Sequence, residues 1–117
     1  MKTKQITKIA AAVAVIAAAN QGGFTWNIAE NKMQAHGFAV ARAETQNSFN
    51  REGLLRAVEF AVKNSVPCIG GWYDSDSGLY YYDATEIFSN KDEAENAARE
   101  NEQIAYYDLD NFAEIKI

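Results

Sequence analysis

The stretch Gly70-Gly71-Trp72-Tyr73-Asp74-Ser75-Asp76-Ser77-Gly78-Leu79-Tyr80-Tyr81-Tyr82-Asp83 limits the possible folds more than any other part of the chain. Aromatic residues suit a pleated, half-buried surface, and Asp, Ser and Gly suit a tight turn, so it reads as a β-hairpin. Gly70 and Gly71 inside the first strand mark a bulge or a close approach of backbone. Asp74 and Asp76 alternate as at the start of a calcium loop. The acidic ligand at the fifth position and the closing glutamate are missing, so the turn reading holds and no metal is expected.

The remaining elements fall on both sides of this hairpin. Before it, His36 to Arg42 alternates as a strand with Phe38 and Val40 on one face. Residues 50–64 form a helix: Asn50 can cap it, and Leu54, Leu55, Val58, Ala61 and Val62 make an apolar stripe. Phe60 falls outside that stripe, near Arg56 and Lys63. After the hairpin, Asn90 and Glu93 have capping-box spacing and open a second helix with Ala94, Ala97 and Ala98 inward. Gln103 to Asp108 and Phe112 to Ile117 read as strands, and so does Phe24 to Ile28. Strand, helix, strand, strand, helix, strand is the order of an α+β, ferredoxin-like βαββαβ core, here with an extra N-terminal helix and flanking strands. With 117 residues in all, residues 22–117 suit one domain.

Residues 1–21 admit two readings. Lys2, Lys4 and Lys8 precede an Ala/Val/Ile run, as in a secretory signal; the run is too short to span a membrane. Against this, Ile6, Ile9, Val13 and Ile16 gather on one helical stripe opposite Lys4 and Lys8, a pattern that a signal does not need. We expect an intact helix, placed on the face of the sheet that the other helices leave free, and a cytoplasmic protein. Export is the alternative if residues 1–19 are a signal.

The net charge is −5, and it is unevenly spread. Residues 1–73 carry eight Lys/Arg against four Asp/Glu, and residues 74–117 carry three against twelve. The acidic second part disfavours direct contact with nucleic-acid phosphates. A sheet that stacked RNA bases on Tyr80, Tyr82, Phe38 and Phe88 would have to overcome that repulsion. Cys68, flanked by Pro67 and Ile69, reads as a small buried hydrophobe. His36, with no carboxylate near it in sequence, reads as a surface residue. One histidine and one cysteine are too few for a structural zinc site, and no cofactor is expected.

Five segments carry a resemblance: Gly22-Gly23-Phe24-Thr25, Gly37-Phe38-Ala39-Val40-Ala41, Thr45-Gln46-Asn47-Ser48-Phe49, Gly70-Gly71-Trp72-Tyr73-Asp74 leading to Tyr81-Tyr82-Asp83, and Asn101-Glu102-Gln103-Ile104-Ala105-Tyr106-Tyr107-Asp108-Leu109. In their order and spacing the chain resembles a family of small proteins and domains encoded by bacterial phages and conjugative elements. The resemblance brings no activity with it; it implies accessory work for a mobile element. Two readings of function follow. In the first, a non-enzymatic protein binds and modulates a host protein, such as a nucleic-acid-handling defence enzyme. It would present Asp92, Glu93, Glu95, Glu100 and Glu102 as a nucleic-acid-like face, with Phe60 as a further contact. In the second, a small-ligand or enzymatic domain uses the 44–50 loop, with Thr45, Gln46 and Asn47 beside Trp72 and Asp83. The amides would supply hydrogen bonds and Asp83 a base.

Overall fold

The hairpin is the longest pairing in the molecule. A computed structural model describes residues 2–117. In it β5 (Cys68–Asp74) and β6 (Leu79–Phe88) run antiparallel from Cys68 opposite Thr85 to Asp74 opposite Leu79. The turn closes on Asp74, whose carboxylate accepts from the Asp76 amide at 3.1 Å and the Ser77 hydroxyl at 2.8 Å, while Gly78 takes a φ of 73°.

Around this ladder the described residues form an α+β fold with one antiparallel sheet. Its other strands are β1 (Phe24–Asn27), β2 (Lys32–Met33), β3 (Phe38–Ala41), β4 (Ser48–Phe49), β7 (Ala105–Asp108) and β8 (Ala113–Lys116). The order across the sheet is β2-β1-β5-β6-β3-β7-β8, and β4 pairs with β6 beyond the end of β3. Between β3 and β4 the chain leaves β6 in a short 3-10 turn, Ala43–Thr45.

All three described helices lie on one face. Ile69 on β5 and Tyr82 and Ala84 on β6 meet Leu54, Ala57, Val58 and Ala61 of α2 (Asn50–Lys63). Val40 and Tyr106 meet Ala94 and Ala98 of α3 (Lys91–Glu100). Phe38 opposite Phe88 and Val40 opposite Glu86 put both clusters on the same side, because side chains alternate along a strand. α1 (Lys2–Ala19) joins them, burying Ile6, Ala10, Val13 and Ala17 against α2 and the sheet. This corrects the expected placement on the opposite face. It also turns the expected stripe towards alanine, since Ile9 and Ile16 are only partly buried. Alanine has no side chain to hold the helix away, so α1 packs close, and the Tyr80 hydroxyl donates to the carbonyls of Ala17 (2.8 Å) and Asn20 (3.1 Å).

The two later helices start differently. Asn90 caps α3 as its spacing predicts, accepting from the Glu93 amide at 3.1 Å. Asn50 does not cap α2: Phe49 holds that position in extended conformation, and Asn50 Oδ1 accepts from the Tyr80 amide at 3.0 Å. The reason is that β4 runs on β6 up to the first residue of the helix, so Asn50 stands beside the strand.

Gly53 makes that short connection possible. A Cβ there would lie 2.2 Å from the Ser48 carbonyl carbon. Gly53→Ala should therefore destabilise the protein by about 1–3 kcal/mol, although alanine in an ordinary helix position stabilises by about 1 kcal/mol. Urea unfolding decides the sign, and a more stable variant would contradict the close contact.

A groove on the uncovered face of the sheet

The face opposite the helices is built in cross-strand rows. Thr25, Gly70 and Asp83 form one; Asn27, Cys68, Thr85 and Ala41 form the next; Ile87, Ala39, Tyr107 and Glu114 form a third. Glycine and alanine in the middle of these rows leave space that no helix fills. The result is a solvent-open cavity of about 770 Å³, floored by Gly70, Ala39, Ala41, Asp83 and Thr85. Trp72, Met33, Tyr107 and Phe112 stand around it. Trp72 is 48% exposed and stacked on Tyr81 with centroids 5.1 Å apart; Phe112 is 83% exposed.

Asp83 is the chemical feature of the floor. Its carboxylate accepts a hydrogen bond from the Thr85 hydroxyl. Among the described residues no Lys, Arg or His lines this cavity. Removal from water disfavours the anion, and the Thr85 bond offsets this only in part, so the carboxyl is pushed up from 3.8 to about 6. Gly70 gives both side chains their room: a Cβ there would stand 2.8 Å from Thr85 Oγ1 and 3.0 Å from Asp83 Oδ1. Cys68 lies in the neighbouring row, fully buried beneath Gln34, with its thiol at 3.8 Å from Gln34 Oε1. Burial pushes that thiol up to about 12, far from a reactive thiolate.

One corner of the rim is clasped. His36 Nδ1 lies 2.6 Å from Asp110 Oδ1, and the Gly37 amide donates to Asp110 Oδ2 at 3.0 Å. Together these bonds hold the Asp110 carboxyl below its ordinary value. The Leu109 amide donates to the Gly37 carbonyl at 2.9 Å, so the turn bearing Phe112 is tied to the start of β3. His36 is a surface residue, and its carboxylate comes from 74 residues further along the chain.

Of the residues expected at a ligand loop, Trp72 and Asp83 meet in this groove. Thr45, Gln46 and Asn47 do not line it. Thr45 is buried, donating to the Arg42 carbonyl at 3.2 Å and accepting from the Ala84 amide at 3.0 Å. It satisfies β6 where β3 has left it, so it supports the strand beside Asp83. Gln46 and Asn47 are exposed on the turn into β4.

The expected partner contacts lie elsewhere. Asp92, Glu93, Glu100 and Glu102 are exposed on α3 and just after it. Glu95 is half-buried, accepting from Arg99 at 3.3 Å and from the Tyr106 hydroxyl at 3.4 Å. Phe60 is half-buried beneath the guanidinium of Arg42, 5.1 Å from the ring centroid. The aromatics considered for base stacking, Tyr80, Tyr82, Phe38 and Phe88, all sit under the helices.

Thr25, Thr85, Tyr107, Phe112 and Met33 were not among the expected site residues. Gly70 was expected only as a bulge or a close approach; the register is unbroken and the approach is to Thr85 and Asp83. Thr85 and Gly70 were within reach, since pairing Trp72 with Tyr81 puts Gly70 opposite Asp83. No family model matches the chain, and neither a curated protein nor a solved structure matches it.

The carboxyl of Asp83 has a definite pH signature. Its folded value of about 6 is above the unfolded 3.8, so the folded state holds the proton more tightly and stability falls as pH rises between the two. Asp83→Asn should remove this loss. The variant's advantage over wild type should grow by about 2 kcal/mol between pH 4 and pH 7.5 in urea unfolding. A pH-independent difference would contradict the raised carboxyl.

Proposed function

We propose that this chain is a small-ligand-binding domain, without catalytic turnover, whose ligand lies in the groove on the uncovered sheet face. The observation that carries the reading is one carboxyl on the floor of an open, aromatic-walled cavity of about 770 Å³. Ligand sites are concave, mostly apolar and supplied with few polar groups, and a carboxyl displaced from its ordinary value marks such sites more often than chance. Binding is preferred to turnover because the hydroxyl nearest Asp83, that of Thr85, already donates to it. The single histidine is at the rim, engaged with Asp110.

The finer fold reading goes with this proposal. We take β3-α2-β5-β6-α3-β7 as a ferredoxin-like βαββαβ unit. In its support, the central order is β7-β3-β6-β5, with α2 between β3 and β5 in the chain and α3 between β6 and β7. β1, β2 and β8 then extend it.

A second reading rests on the exposure of Asp92, Glu93, Glu100 and Glu102. In it the α3 surface binds a cationic host protein on behalf of a mobile element. Asp92 and Glu93 also complement the N-terminal end of the helix dipole, which explains them without a partner. If the second reading is right, Glu100→Lys with Glu102→Lys abolishes capture of a nucleic-acid-handling host protein; unchanged capture removes it.

The groove is tested with N-phenyl-1-naphthylamine, a neutral probe that fluoresces in apolar surroundings. Trp72→Ala should weaken its binding by about fivefold or more, as expected for loss of about 1 kcal/mol of aromatic contact. Val15→Ser, on the exposed side of α1, should leave it unchanged. Equal binding by wild type and Trp72→Ala would place the probe elsewhere and overturn the reading.

A further inference from the structure

We propose that the groove selects an organic ammonium ion on an apolar, preferably aromatic, body, with the Asp83 carboxylate as the anchor for its N–H groups. This rests on the groove being a binding site and adds the chemical class of its ligand.

The sign of the charge comes from the lining. Asp83 and Glu114 are its only charged residues among those described, and both are acidic. An anionic ligand would meet two carboxylates and no cation, whereas an ammonium ion meets complementary charge. The floor also discriminates between cations. A divalent metal takes six or more oxygens in an ordered shell. Here the oxygens in contact are one carboxylate and the Thr85 hydroxyl, with Thr25 two strands away in the same cross-strand row. That set is too small for a metal shell and suits the N–H donors of a primary ammonium group.

The anchor is kept accessible. Asp83 lies in the row Thr25, Gly70, Asp83, lines the groove and is only partly buried, its carboxylate resting over Gly70 in the space a Cβ would fill. Thr85 is its one hydrogen-bond donor among the described residues. A carboxylate partly shielded from water with a single hydroxyl donor gains from a charge-assisted hydrogen bond. The walls suit the rest of such a molecule. The faces of Trp72 and Tyr107 attract cations, and Met33, Leu109 and Phe112 offer apolar surface to an aliphatic or aromatic body.

The groups facing Asp83 give the pH dependence. They are Tyr81 and Thr85 on its own strand, Gly70 on β5 and Thr25 on β1, while Thr45 of the 3-10 turn lies behind β6. Elsewhere in the lining the titratable groups are Tyr106, Tyr107 and Glu114, and Cys68 in the next row is pushed up to about 12. The anchor is therefore an ion above about pH 6 and neutral below it. Ammonium binding weakens as pH falls through that value.

The test is calorimetric titration of the full chain with 4-phenylbutylamine, 4-phenylbutan-1-ol and 4-phenylbutyrate, which differ only at the head group. At pH 7.5 the amine should bind about tenfold or more tightly than the alcohol, and the carboxylate should not bind. Amine affinity should fall about tenfold by pH 5. In Asp83→Asn, a near-isosteric change expected to fold, amine and alcohol should bind alike at both pH values. Glu114→Gln should keep the preference, and its loss there would overturn Asp83 as the anchor. If the alcohol matches the amine in wild type, or if none of the three binds while N-phenyl-1-naphthylamine still does, the ammonium inference falls and the groove remains an apolar site. If the neutral probe also fails to bind, both readings fall.

Discussion

Everything in this molecule hangs on the register of the β5–β6 ladder. With Gly70 opposite Asp83 and Ile69 opposite Ala84, one face of the hairpin receives the helices and the other becomes the groove floor. Because side chains alternate, a slip of one residue would drive Asp83 into the helix-covered core and turn Ala84 outwards. The tight acidic turn, closed on Asp74, holds that register from one end. At the other, the side chain of Thr45 and the backbone of Arg42 bond the amide and carbonyl of Ala84 where β3 has departed.

The groove follows from an imbalance in covering. α1, α2 and α3 crowd one face of the sheet, and the large apolar side chains go with them: Val13, Leu54, Val58 and Ile69. The opposite face receives Gly70, Ala39 and Ala41 in its middle and keeps its aromatics at the margins. An acid placed on that floor works against folding at neutral pH, since the same position occupied by an uncharged side chain would avoid desolvating an anion. A residue that opposes stability while its neighbours accommodate it fits the ligand groove proposed above.

The sequence carried the local part of this structure well. The hairpin, the helical stripe of Leu54, Val58 and Ala61, and the Asn90 cap are short-range features, fixed by periodicity and turn chemistry, and they lie where expected. What escaped depends on contacts between distant residues. The stripe of α1 says that one side will be buried, but nothing in it says which face of the sheet it will meet. Asn50 has the chemistry of a cap, and only the pairing of β4 with β6 sends its side chain to Tyr80 instead. Thr45 was rightly noticed as polar and loop-borne, but its direction is decided by the excursion between β3 and β4. Of the groove, Trp72 and Asp83 were visible because they share the hairpin; Tyr107 comes from β7 and Phe112 from the turn after it, on the far side of β3 from the hairpin.

The borders of the sheet have a consequence of their own. At one end β2 is only two residues, Lys32–Met33; at the other β8 is four residues long, with Glu114 and Lys116 alternating along it. Few unpaired backbone groups are offered at either border, and those are flanked by charge, so a foreign strand finds little to template upon. An eight-stranded sheet can thus leave a broad aromatic face open to solvent while its own edges resist lateral growth.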